Sequence, residues 1–347
     1  MALDLRSDFL APPTPRMISA MTAAASMPEG FGLRDNPQQR ALERQVASLL
    51  GKEDALLFPT CTMANLVAVA AQVAPGEGVI AEAESHCVVS EAGGIAAVAG
   101  ALVHALPGRE GRMDAAAVEA LLSRRADVQR PRVAMVLLET THNRAGGVAL
   151  PMDHLRAVGD LCARLGAVLH IDGARFLNAA LALDVPPAEM AAPAATVSLS
   201  LNKALGVSNG AMLAGPGTVI ERALLLRQRL GGGIRPTGSI AAEGLAALED
   251  YAERLMTDHG NAATLAGLLR RAGMVVTPEG PCTNILVVRP EASDLAAYIG
   301  RLAQRGVLAL EFGKDRVRLC LHGGIRAADV PAIASAVVGA QWEDGKA

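Results

Sequence analysis

The chain has 347 residues, a formal net charge of -3, 51% hydrophobic residues and 19% charged ones. That length and apolar content bury a sizeable core, which excludes a mainly disordered protein and suits a large α/β domain with or without a smaller one. With no basic block and only 2% aromatic residues, neither the charge nor the stacking surface for a nucleic-acid partner is present.

In chain order, residues 1–35 read as an N-terminal arm, held extended by Pro12, Pro13 and Pro15. A helix starts at Asn36-Pro37, with Asn as N-cap and Pro in the first turn. Leu42, Val46, Leu49 and Leu50 share one face of it, and Gly51 ends it. Short apolar runs then recur at 55–58, 78–82, 101–105, 133–138, 167–171, 195–201 and 210–214. Helical stretches such as 62–73, 114–123 and 153–165 lie between them. This alternation predicts a mostly parallel seven-stranded sheet between helices, in a large domain spanning 36–256.

Residues 217–256 read as mainly helical, broken by Gly231-Gly232-Gly233. From 257 to 347 the pattern is helix (258–272), strands (274–276, 283–288), helix (293–304), strands (307–311, 316–321) and helix (327–340). That is a smaller α+β C-terminal domain. The five cysteines, Cys61, Cys87, Cys162, Cys282 and Cys320, are odd in number and lack a C-x-x-C, so they read as reduced thiols. The charged start, M-A-L-D-L-R-S-D, lacks the apolar run of a signal peptide, and a cytoplasmic location is expected. Residues 55–76 carry no charge, but Pro59, Thr60, Thr62, Asn65 and Gln72 interrupt them, so a membrane span is not expected.

Several chemistries lack their signatures. No G-x-G-x-x-G follows the first strand, no Walker loop or G-x-S-x-G is present, and neither H-E-x-x-H nor a Cys/His cluster suggests a metal. What remains is polar residues at strand ends, where open α/β sheets bind ligands. Thr60-Cys61-Thr62 begins a helix, either as an ordinary N-cap or as a phosphate cradle. Asp172 ends an apolar strand, either salt-bridged to Arg175 or facing a protonated ring nitrogen. Only four of the 32 basic residues are lysines: Lys52, Lys203, Lys314 and Lys346. Lys203 alone sits in an apolar segment, where partial desolvation would let its amine lose a proton and form a Schiff base. His86, in Glu84-Ser85-His86, is a polar loop histidine or a cofactor contact. A phosphate-type helix start, a strand-end acid and a strand-end lysine together suggest pyridoxal phosphate.

The ordered motifs P-T-C-T-M-A-N (59–65), E-A-G-G (91–94), T-H-N-R-A-G-G (141–147), H-I-D-G-A-R (170–175), L-N-K-A-L-G (201–206), G-G-G-I-R (231–235) and R-L-C-L-H (318–322) run along the chain. Together with Leu5-Arg6-Ser7-Asp8 they resemble the low-specificity L-threonine aldolases, pyridoxal-phosphate enzymes of the aspartate-aminotransferase superfamily. The resemblance implies Lys203 as the Schiff-base lysine, Asp172 on the pyridine nitrogen, Cys61 and Thr62 at the phosphate, and His86 stacked on the ring. It implies Ser7, Arg175 and Arg318 on the substrate carboxylate. It also implies a site at a dimer interface within a dimer of dimers, with Arg235 reaching a neighbouring subunit's cofactor.

Some positions depart from that family: Cys61 replaces a Gly, Phe9 a Thr, and Gln129, beside Arg130, a His next to the substrate side chain. A neutral amide is no base near pH 7, so proton removal would fall to His86 or a water, and Arg130 would favour a negative side chain. The function implied is retro-aldol cleavage of a β-hydroxy-α-amino acid, such as L-threonine or L-allo-threonine, to glycine and an aldehyde. The alternatives are a related β-eliminating lyase, racemase or transaldolase, and a non-catalytic binding or regulatory relic of the fold.

Overall fold

The computed structural model describes residues 2–280, 283–292 and 294–341. Cys282 and Lys346 therefore lie outside the described residues. The seven apolar runs form one sheet, in the spatial order Asp54–Phe58, Ala211–Gly215, Thr196–Ser200, Val168–Gly173, Val133–Glu139, Gly78–Glu82 and Leu102–Leu106. Only Ala211–Gly215 runs antiparallel to its neighbours. The central strands are buried on both faces, which is why their sequences read as continuous apolar runs rather than alternating ones. Leu102–Leu106 and Asp54–Phe58 are the two edge strands, and the former leaves Leu102 and Val103 partly exposed.

The helix Pro37–Leu49 follows its predicted cap: Asn36 accepts the Gln39 N–H, and Leu42 and Val46 are fully buried. Burial of each such side chain is worth about 1.5–3 kcal/mol. The N-terminal segment differs from expectation. Its prolines do not keep it extended, because Thr14 caps a helix over Pro15–Ala25 with Pro15 in the first turn and Met17 wholly buried. That helix packs against Gly238–Glu249. Ahead of it, Leu3–Asp4 pairs in parallel with Val307–Leu308, which sews the arm into the C-terminal unit.

The C-terminal unit holds a four-stranded sheet over a separate apolar cluster that includes Leu265, Leu286, Tyr298, Leu319 and Ile333. One helix, Tyr251–Arg271, enters it from the large sheet, so no linker marks position 257. The strand expected over 307–311 is two short pieces, Val307–Leu308 and Leu310–Glu311, which belong to different sheets.

Candidate active site

All six parallel strands point their C-terminal ends to one edge of the sheet, and five of the following turns bring polar residues there. After Phe58, Pro59 breaks the strand and Thr60 caps the helix Cys61–Gln72 by accepting the Met63 N–H. The first-turn N–H groups of Cys61 and Thr62 lie ahead of the helix's own ladder and face outward, a ready anion cradle. After Glu82 comes His86; after Glu139, Asn143; after Ser200, Lys203. Asp172 lies within the last turn of its own strand. Gly173, next to it, is required by close approach, since a Cβ there would sit 2.4 Å from the Ser198 carbonyl oxygen. Gly206 ends the lysine turn with φ +72°, a left-handed conformation that glycine adopts freely.

These residues enclose a cavity of about 270 Å³ lined by Thr60, Cys61, Thr62, His86, Asp172 and Lys203, among others. A second, of about 100 Å³, shares Phe9, His86, Asp172 and Lys203 with it and adds Ser7, Arg175 and Arg318. Segments far apart in sequence thus converge: the arm, five strand ends of the large sheet, and a strand of the C-terminal unit.

Asp172 is 1% exposed. It accepts the Ala174 N–H at 3.1 Å and lies 4.0 Å from the Cys61 Sγ. The salt bridge to Arg175 that the sequence left open does not form. Arg175 instead grips the buried Asp8 with Nε at 2.7 Å and Nη2 at 2.8 Å. Burial, the largest single influence, would raise the Asp8 carboxyl, but the Arg175 charge and hydrogen bonds, together with Lys203 and Asn284, outweigh it and hold the group below the usual carboxylate range. Asp172 has no ion-pair partner among the described residues, so a cationic ring nitrogen fits the vacancy in its charge balance. With the phosphate-type helix start and Lys203 in the same wall, the residues fit pyridoxal phosphate. His86, Glu91 and Asp172 also bring ligand atoms within 4.8 Å of one another, a spacing that a metal ion could use.

The Cys61 side chain turns inward, 3.5 Å from Ser198 Oγ, rather than over the helix N-terminus. Burial pushes its thiol up to about 12, so it is a neutral wall group. Arg318 donates from Nη1 to Asn143 and from Nη2 to the Arg6 carbonyl, while its buried Nε has no partner. Burial lowers the Arg318 pKa, and a second guanidinium beside it makes the small cavity a place for an anion. Ser7 lines this part, its Oγ accepting the Phe9 N–H.

His86 Nδ1 lies 2.8 Å from Glu91 Oε1, and this bond raises the His86 pKa. Its backbone N–H is held by Glu139 at 2.6 Å. The Phe9 ring covers the Lys203 amine, with Nζ 5.4 Å from its centroid.

Three predicted residues are not brought to these cavities. Gln129 and Arg130 sit on an exposed turn whose N–H groups donate to the Asp127 carboxylate, and neither lines either cavity. The expectation that they flank the substrate within one chain is corrected: Asp127 turns this segment back on itself at the surface. Arg235 is exposed, donates to the Phe31 carbonyl and lies against the Phe31 ring, outside its own chain's cavity. Asp8, Asn65, Glu91, Glu139 and Asn143 were missed. Each stands inside or beside a quoted motif; the partners of Asp8, Asn65 and Asn143 lie more than 100 positions away, whereas Glu91 pairs with His86 only five residues off.

A family model described as beta-eliminating lyase matches residues 4–292. Low-specificity L-threonine aldolase 1 of Arabidopsis thaliana is 35% identical over 336 residues, covering 95% of this chain and 93% of that protein. Low specificity L-threonine aldolase of Escherichia coli K12 is 35% identical over 347 residues, covering 98% of each. Among solved structures, a Leishmania major threonine aldolase superposes with a TM-score of 0.84 at 19% identity, covering 98% of this chain and all of the other, which supports the same fold. A Sphingomonas wittichii serine palmitoyltransferase superposes at 0.78 with 18% identity, covering 98% of this chain and 87% of that one.

Proposed function

This chain belongs to the beta-eliminating lyase family and to the low-specificity L-threonine aldolases, and we propose that it cleaves L-threonine or a similar β-hydroxy-α-amino acid to glycine and an aldehyde. The observation that carries this reading is the joint wall of Lys203, the ion-pair-free Asp172 and the anion-seeking Arg318. Pyridoxal phosphate, when bound, supplies an aldehyde that condenses with amines and a ring that draws off the electron pair of a breaking bond.

The chain's own residues divide the rest. The first turn at Cys61 and Thr62 binds the phosphate, Asp172 keeps the ring nitrogen protonated, and Lys203 presents its amine beneath Phe9. Arg318 and the edge of Arg175 not held by Asp8 take the substrate carboxylate, with Ser7 beside them. A fork fixes orientation as well as charge, so these residues would hold the substrate carboxylate in one pose. His86 takes the proton from the β-hydroxyl as the Cα–Cβ bond breaks and the hydroxyl carbon leaves as an aldehyde. A proton returned to Cα completes glycine.

The same reading takes the protein to be a cytoplasmic homo-oligomer, a dimer of dimers. In it Arg235, exposed beside Phe31, reaches the neighbouring subunit's cofactor. No helix among the described residues is long and apolar enough to cross a membrane. The test is the visible spectrum and product analysis of the purified protein. Wild type should bind the cofactor through Lys203 and release acetaldehyde and glycine from threonine, and Lys203→Ala should lose the lysine-linked absorbance. Elimination or racemisation products from serine or alanine, without acetaldehyde from threonine, would overturn the reading.

A further inference from the structure

His86 has two ring nitrogens, and only one protonation pattern lets it accept a proton from a substrate in the cavity. The hydrogen bonds running away from it, through the interior of the large domain, decide which pattern that is. Gln72 lies at the far end. Its Nε2 donates to the Ala68 carbonyl at 2.8 Å and to Thr196 Oγ1 at 3.0 Å. The carbonyl can only accept, which fixes that end of the amide as nitrogen.

Thr196 Oγ1 keeps its own proton free to donate to His170 Nδ1, 2.8 Å away, and we take it in that direction. His170 is fully buried, and burial pushes its pKa down to about 4, so at neutral pH it carries one proton. With Nδ1 accepting, that proton sits on Nε2 and is donated to Asn65 Oδ1 at 3.2 Å. Ser198 confirms the orientation of this amide. Its Oγ accepts the Gly173 N–H at 3.3 Å and gives its proton to the same Asn65 Oδ1 at 2.7 Å.

The other end of Asn65 is then nitrogen, and it donates to Glu91 Oε1 at 3.3 Å. Glu91 is 7% exposed, and the same oxygen faces His86 Nδ1 at 2.8 Å. With Glu91 ionised, that oxygen can only accept, from Asn65 and from His86 alike. The His86 proton thus resides on Nδ1. Nε2, with no protein partner among the described residues, keeps its lone pair on the cavity side.

We infer that this buried chain, Gln72–Thr196–His170–Asn65–Glu91, sets the tautomer of His86, and that Glu91 and Asn65 are positioning residues for the base. The inference rests on the reading of His86 as the group that takes the β-hydroxyl proton. It explains how cavities that Gln129 does not reach, with His86 as their lining histidine, manage without a second one: a base whose proton is already placed on the far nitrogen loses nothing to the wrong tautomer. A triad acid acts on its histidine by the same logic.

The experiment is nitrogen-15 NMR of histidine-labelled holoenzyme, with His86 assigned by its loss in His86→Asn, alongside steady-state kinetics. Wild type should show the Nδ1–H form. Glu91→Gln, unlike a triad acid replaced by its amide, has its oxygen held toward His86 by the Asn65 N–H it accepts, and should keep that form, with kcat within about tenfold of wild type. Glu91→Leu removes the acceptor and should populate the Nε2–H form, with kcat lower by about 100-fold or more and KM changed far less. An Nε2–H tautomer in wild type overturns the inference, and that result needs no variant to fold. So does an unchanged tautomer in Glu91→Leu. A His86→Asn enzyme with full threonine cleavage would instead remove His86 from the mechanism while leaving the tautomer result standing, which separates the two failures.

Discussion

Asp8→Asn should weaken the fold and the site together. Asp8 is fully buried, takes two Arg175 donors at 2.7 and 2.8 Å, and accepts a third hydrogen bond from Asn284 at 3.0 Å. An asparagine keeps the shape but leaves the Arg175 guanidinium, 6% exposed, without its counter-charge. At a charge separation of about 4 Å and an effective dielectric near 20, the lost attraction is about 4 kcal/mol. Breaking a buried pair from one side costs about 3–5 kcal/mol, which agrees.

The assay is urea denaturation of the holoenzyme at fixed protein concentration, with a double-mutant cycle against Arg175→Met. The pH dependence has a defined sign. The Asp8 pKa is depressed in the folded state, so its stabilisation is complete above the ordinary carboxylate range and disappears as pH falls through the folded value. That acid-side loss should be smaller in the variant. A destabilisation below about 1 kcal/mol, or no coupling in the cycle, would refute the buried-pair reasoning.

Three further outcomes are expected. Arg318→Lys keeps the charge but loses the fork and the free Nε, so KM for threonine should rise at least about tenfold while kcat changes less; an unchanged KM would remove Arg318 from the carboxylate site. Cys61, half-buried and with its thiol pushed up to about 12, is largely protonated at pH 8, so cofactor-free protein should be alkylated there far more slowly than a free cysteine; fast labelling would contradict the inward, desolvated placement of the thiol. Because Glu91 raises the His86 pKa, the acid limb of kcat/KM should lie above the ordinary imidazole value, with activity lost as pH drops through it; Glu91→Gln should move that limb to lower pH.

The sequence by itself determined the sheet. Its seven strands appear as apolar runs because a parallel sheet covered on both faces must be apolar throughout, and that demand is local and repeats along the chain. It also isolated Lys203 and Asp172, because a charged group ending an apolar strand is unusual enough to stand out without any partner. Tertiary structure alone decided who pairs with whom. Asp8 meets Arg175 across 167 positions, and His170 meets Asn65 across 105. Arg318 arrives from a different sheet, and the helix Pro15–Ala25 forms where prolines suggested an extended arm, because it has Gly238–Glu249 to pack on. Burial patterns are written residue by residue along the chain. Ion pairs and proton orientations are fixed only when distant segments have met, because their energies depend on separation and exclusion of water rather than on spacing in sequence.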